Sequence, residues 1–162
     1  MNRRTMLQQA LSVAGALMVP RFVRPAFAGG AIEKIARPDA EWRKILTPEQ
    51  YEVLRREGTE LPFTSLLNHE THQGTFVCAA CSFALFPSKF KFDSGTGWPS
   101  FYDVLPGHVE FTTDFKLALP RTEYHCARCG GHHGHVFKDG PPPTGLRYCN
   151  NGIALRFVAN KA

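Results

Sequence analysis

Cys78-Ala79-Ala80-Cys81 and Cys126-Ala127-Arg128-Cys129 are two knuckles, each with the two-residue spacing of a chelating turn. Four thiolates so arranged fill the tetrahedron of one structural zinc. They leave no open position for water or substrate, so Lewis-acid catalysis at that metal is not expected. Pairing the same four as disulfides is the competing reading, and the chelating spacing favours the metal. Cys149 is then left over, in Arg147-Tyr148-Cys149-Asn150-Asn151. A thiol outside a filled metal site is a candidate nucleophile, because the thiolate it can form attacks electrophilic atoms.

Imidazoles stand close by in the chain. His132-His133-Gly134-His135 follows Cys129 and shares the C-terminal stretch with Cys149. Histidine transfers protons near neutral pH, which a reaction at a thiol commonly needs. Spacing alone does not decide which of them face a site: His133 and His135 share a face if the segment is extended, while His132 and His135 are three apart. A metal role for all three is disfavoured because the knuckle thiolates already satisfy zinc, and His133 is expected at the surface. The third constellation is Ser94-Gly95-Thr96-Gly97-Trp98-Pro99-Ser100-Phe101, a bendable loop in which Trp98, before a proline, is held extended. Composition alone favours Trp98 as a core plug over an exposed aromatic wall.

These groups need a scaffold, and the sequence predicts a mainly β one. Two short helices come first. Asp39 is placed to cap a segment through Leu46, and Thr47-Pro48-Glu49-Gln50 supplies a capping residue, a first-turn proline and a Gln at the third helical position. Gly58 closes the second helix near Glu57. Its apolar face, Tyr51 and Leu54, is narrow, so it reads as a solvated scaffold helix without chemistry. From Gly74 onward the period becomes two, with short runs at 75–77, 83–86, 89–92, 108–111, 116–119, 133–137 and 153–158 separated by turn residues. They predict an antiparallel β-domain whose many phenylalanines form the core.

The N-terminus carries an address. Arg3-Arg4, an apolar run from about Ala10 to Pro20 and Ala26-Phe27-Ala28 read as a twin-arginine export leader over residues 1–28, with an uncleaved anchor the weaker reading because the run is short. A linker is expected at 29–38 and one domain at 39–162. Of the 19 basic residues the leader takes four and none of the 14 acidic ones, so the mature chain is close to neutral. No basic stripe remains to attract nucleic acid or an anionic membrane, and neither partner is expected.

Taken together, these pieces resemble methionine sulfoxide reductases of the B type. The likeness covers residues 42 to 157: the two knuckles, the loop from Ser94 to Phe101, His132-His133-Gly134-His135-Val136-Phe137, Thr144-Gly145-Leu146-Arg147-Tyr148-Cys149 and Asn151 occur in the family's order. The resemblance implies two antiparallel sheets with short N-terminal helices and a structural zinc on Cys78, Cys81, Cys126 and Cys129. It implies peptide-methionine (R)-S-oxide reductase activity. Cys149 would attack the sulfoxide sulfur and end as a sulfenic acid, with His132 and His135 supplying the proton. Trp98 would wall the substrate's methyl group, reversing the compositional expectation. Asn151 would steady Cys149 or an imidazole. The implied partners are oxidised proteins and an external thiol or dithiol such as a thioredoxin-like protein, acting on a monomer. Many members have a second, resolving cysteine where this chain has Thr96, so no internal thiol is expected to resolve Cys149. Two other classes compete: a zinc-ribbon binding module, which leaves Cys149, Trp98 and the histidines without a purpose, and a thiol peroxidase or redox-sensing cysteine protein, which leaves the Trp98 loop unexplained.

Overall fold

Nine antiparallel strands and two short helices carry the site in a computed structural model that describes residues 31–161 other than Ala118. Residues 1–28, read as a twin-arginine leader, fall outside the described residues. Thr47, Pro48 and Gln50 act as their types dictate: the Thr47 hydroxyl accepts from the Gln50 amide, the Gln50 side chain accepts from the Thr47 amide, and helix α2 (Pro48–Arg56) starts there. Helix α1 (Asp39–Ile45) starts differently from expectation. Pro38 occupies the cap position, and Asp39 lies inside the first turn, where its carboxylate accepts from Tyr51 at 2.5 Å and Arg43 at 3.1 Å. The chain leaves α2 through Glu57 in the left-handed region rather than through Gly58. Helix α2 also buries more than a narrow face: Tyr51, Val53 and Leu54 are all inside.

The smaller sheet has the order β2 (Ala84–Pro87), β1 (Gly74–Cys78), β9 (Leu155–Ala159). The larger has the order β3 (Lys91–Phe92), β4 (Ser100–Phe101), β8 (Arg147–Asn150), β7 (His132–Phe137), β6 (Arg121–Cys126), β5 (Val109–Asp114). Aromatic rings fill the core between them. Phe76 and Phe86 of the smaller sheet meet Phe101 of the larger at ring-centre distances of 4.9 and 4.3 Å, and Tyr124 meets Tyr148 at 5.5 Å. The expectation that phenylalanines build the core holds for these three. Phe63, Phe111 and Phe115 are exposed.

Three predicted strands change, the run 153–158 opening with a 3-10 turn (Gly152–Ala154) before β9. Residues 89–92 become a single 3-10 turn (Ser88–Phe90) followed by the two-residue β3. At 116–119 the described residues Lys116, Leu117 and Leu119 form no strand; Leu117 and Leu119 alternate as in a strand but are exposed, because no layer covers them. Strands β4, β6 and β8 lie outside the runs expected as strands. No helix among the described residues is long and apolar enough to cross a membrane.

Candidate active site and metal centre

The knuckles converge. Cys78 closes β1 and Cys126 closes β6, and each opens a turn whose fifth residue donates its amide back to the first cysteine's carbonyl at 2.8 Å. All four cysteines are free thiols gathered in one cluster, with Cys78 Sγ to Cys129 Sγ at 3.7 Å and Cys81 Sγ to Cys126 Sγ at 3.6 Å. A tetrahedron of sulfurs about 2.3 Å from its centre has edges near 3.8 Å, so the donor set fits a thiolate-bound metal. Helix α2 braces the cluster: Arg55 donates to the Cys129 carbonyl at 3.0 Å.

Cys149 lies on the other side of the larger sheet's logic, in mid-strand. On β8 it pairs across to Ser100 on β4 and to His135 on β7. Cross-strand partners hold their Cβ atoms about 5 Å apart, so the His135 imidazole is a direct neighbour of the thiol. A cleft of about 120 Å³ opens over this pair, lined also by Trp98, Arg121, Phe137 and Asn151. Trp98 is half-buried, with one side on the cleft and its indole N–H donating to the Glu60 carbonyl at 3.1 Å. It is a wall and not a core plug.

A bulge explains which histidines share a face. Tyr124 pairs with Gly134 and His125 with His132, so His133 is the extra residue on β7. In a regular strand positions three apart point to opposite sides; the extra residue brings His132 and His135 to the same side, with ring centres 5.8 Å apart. His133 turns the other way, into the core, fully buried and parallel to the Tyr124 ring. The expectation of a surface His133 is therefore corrected: the bulge flips it inward. Gly134 makes the crossing possible. Its φ is 154°, and a Cβ there would lie 2.0 Å from the Cys149 carbonyl oxygen.

The electrostatics around the thiol pull in two directions. Burial pushes the Cys149 thiol above its ordinary value, while the Arg147 guanidinium and hydrogen bonds from the Thr96 hydroxyl and Arg147 favour the thiolate. Arg147 is itself buried and fixed, bidentate on Asp139 at 2.9 and 2.8 Å and over the Phe137 ring at 4.3 Å. Thr96 closes a chain of hydroxyls, bonded to Ser94 at 2.8 Å, which bonds Ser100 at 2.7 Å. His135 Nε2 donates to Asp114 Oδ2 at 2.8 Å, which leaves its other nitrogen uncommitted. The Lys116 amide, His135 and Arg121 hold the Asp114 carboxyl far below the usual carboxylate range, so it stays ionised and orients the ring. Burial lowers His132 to about 3, so its imidazole is neutral at physiological pH.

His132 and Asn151 sit one step back from the cleft's reacting end. His132 lies behind His135, against Glu123. The Asn151 amide bonds neither the thiol nor an imidazole. Its oxygen accepts from the Glu60 amide at 2.9 Å and its nitrogen donates to the His133 carbonyl at 3.1 Å, which pins the bulge. Sequence reasoning missed Arg147, Asp114, Arg121 and Glu60. Only Arg147 had a readable signal: two residues before Cys149, it shares the thiol's side of any strand.

A family model described as the SelR domain matches residues 46–159. Among curated proteins, the peptide methionine sulfoxide reductase MsrB of Agrobacterium fabrum is 54% identical over 76% of this chain and 93% of its own. That of Methanosarcina barkeri is 51% identical over 78% and 90%, and that of Leifsonia xyli 55% over 80% and 95%. Among solved structures the Mis18 Yippee-like domain gives a TM-score of 0.44 at 17% identity, over 56% of this chain and all of that one, too distant to bear on the fold. With a matched model over most of its described length and relatives above half identity along nearly their whole length, the chain belongs to the SelR domain family of MsrB proteins.

Proposed function

We propose that this chain reduces the R epimer of methionine sulfoxide, in oxidised proteins, at the expense of an external thiol. The observation that carries the reading is Cys149 in a cleft, flanked across the strands by His135 and walled by Trp98. The Cys149 thiolate attacks the sulfoxide sulfur. As the S–O bond weakens its oxygen becomes basic and takes the proton that Cys149 gave up to the uncommitted nitrogen of His135, the resulting imidazolium being held and stabilised by Asp114 through its other N–H. Methionine leaves, and Cys149 carries the oxygen as a sulfenic acid. Trp98 offers an apolar face to the substrate methyl group, His132 backs His135, and Asn151 keeps the bulge that aims both.

Regeneration needs two thiols. The first attacks the Cys149 sulfenic acid and releases water, giving a mixed disulfide; the second displaces Cys149 as a thiol and leaves an oxidised disulfide. Thr96 touches Cys149 but offers oxygen where a resolving sulfur would act. The remaining four cysteines hold one structural zinc at the far end of β1 and β6, which leaves reduction to a thioredoxin-like partner. The domain over 39–162 works as a monomer, exported by the twin-arginine leader over 1–28.

The test uses the separated epimers of a methionine sulfoxide peptide with dithiothreitol. Turnover of R alone is expected; hydrogen peroxide consumption without sulfoxide turnover would favour a thiol peroxidase. After one turnover without reductant, dimedone should label Cys149. In Thr96→Cys the same turnover should close a disulfide to Cys149 and remove the label.

A further inference from the structure

Glu123, His125 and His132 form a cluster that the reductase reading does not use as such. Glu123 and His125 are two apart on β6 and project from the same face, and His132 is the cross-strand partner of His125 on β7. Their donor atoms converge within 4.8 Å of one another. Glu123 Oε1 lies 2.5 Å from His132 Nδ1 and 3.2 Å from His125 Nε2. These approaches are not hydrogen bonds. Both Glu123 Oε1 and His132 Nδ1 are buried without a hydrogen-bond partner, on side chains that are 7% and 2% exposed. An unpartnered buried carboxylate oxygen costs free energy unless a cation meets it. Lys116, whose charge acts on Glu123, does not: it is paired with Glu57 at 2.5 Å.

We propose that these three residues form a second metal site, for a divalent transition ion of the zinc class, separate from the four-thiolate cluster. Two imidazoles and one carboxylate are a ligand set that suits zinc, and donors about 2.0–2.2 Å from such an ion lie roughly 3.3 Å apart, which matches the 3.2 Å from Glu123 to His125, while the 2.5 Å from Glu123 to His132 must open on ligation. The His125 side chain, 16% exposed, gives the open edge through which the ion enters and a water completes the tetrahedron. Ligation ties down His132, whose ring meets that of His135. The site thereby couples metal level to the cleft: an occupied site slows reduction. That consequence rests on the reductase reading; the binding does not.

The experiment is a calorimetric titration of the full chain, already carrying its structural metal, with Zn2+ and separately with Co2+. Wild type should take up a second equivalent that His125→Ala and Glu123→Gln lose, and cobalt there should show d–d bands without the thiolate charge-transfer band of a cysteine site. Retention of the first, thiolate-bound equivalent reports that each variant is folded, and His125→Gln repeats the test with a bulkier side chain. A wild-type chain that takes up no metal beyond its structural equivalent overturns the site. So does a second equivalent that survives in every variant, or one with a thiolate charge-transfer band, which would point to Cys149. In a rate assay, added Zn2+ should slow wild type several-fold and leave the ratio of rates with and without metal near one in His125→Ala; equal slowing of both would overturn the coupling.

Discussion

Four cysteines of this protein sit in turns with their sulfurs 3.6 to 3.7 Å from a neighbouring sulfur, while the fifth sits in mid-strand among an arginine, a threonine hydroxyl and a histidine. The atom is the same and the surroundings divide its work. A turn at a strand end can bring two thiols of one knuckle to a common point, which suits a staple. A strand cannot, because its neighbours alternate faces; it can instead fix one thiol rigidly against partners on the strands beside it. On the proposed function the knuckles serve folding and Cys149 serves reaction.

Paired serine substitutions break this division most sharply. Cys126→Ser removes one ligand from the cluster and should cost several kcal/mol of stability, since binding of a structural metal counts directly as folding free energy. Metal analysis should fall well below half an equivalent and the melting transition should drop or vanish. Cys149→Ser should do the reverse: retain the metal, melt within about 2 °C of wild type and lose turnover of the R epimer. Equal damage to stability from both would erase the distinction.

Asp114 tests whether the cleft is organised or merely open. Asp114→Asn keeps the shape but removes the charge that holds His135. The kcat should fall roughly 100-fold, part of what general acid catalysis supplies, with KM little changed. Alkylation of Cys149 should proceed at nearly the wild-type rate, because the thiol's own neighbours remain. A variant with intact kcat would remove His135 from proton transfer.

How much of this was legible in the sequence depended on what each strand buries. The knuckles and the capping box were readable because a metal or a helix start needs fixed types at fixed offsets. Strand β8 was not. Arg147-Tyr148-Cys149-Asn150 looks like a polar loop, yet Arg147 and Asn150 are buried, the first against Asp139 and the Phe137 ring and the second beneath the cleft. Strand β6 hid for the same reason, with Glu123 inside. The bulge at His133 was invisible too: it depends on pairing with β6, a long-range fact that spacing within β7 does not carry. The site's identity was available through resemblance to a family, whereas its supports, Asp114 and Glu60, came only with the fold.

Arg147 gives a smaller and directional effect. The reactive form of Cys149 is the thiolate, and burial already raises its pKa while Arg147 opposes the rise. Removing the charge in Arg147→Gln raises the pKa further, so less thiolate is present at any pH below it. The acid limb of the kcat/KM profile, and of Cys149 alkylation, should move about one unit towards alkaline pH. A shift the other way would mean that desolvation by the arginine outweighs its charge.

The smallest effect lies at His133, on the bulge that brings His135 to the cleft with His132 behind it. Its ring is fully buried and neither nitrogen has a hydrogen-bond partner, so its polar atoms are desolvated without return. His133→Leu replaces it with an apolar side chain of similar reach in a pocket already formed by Tyr124. Relief of two unpaired polar atoms, less some repacking, should raise stability by about 1 kcal/mol, read as a few degrees in melting temperature. The rate with the R epimer should stay within about twofold, since the carbonyl that Asn151 grips belongs to the backbone and survives the change. A large loss of activity with stability intact would place the His133 ring itself in the reaction and redraw the line between core and cleft.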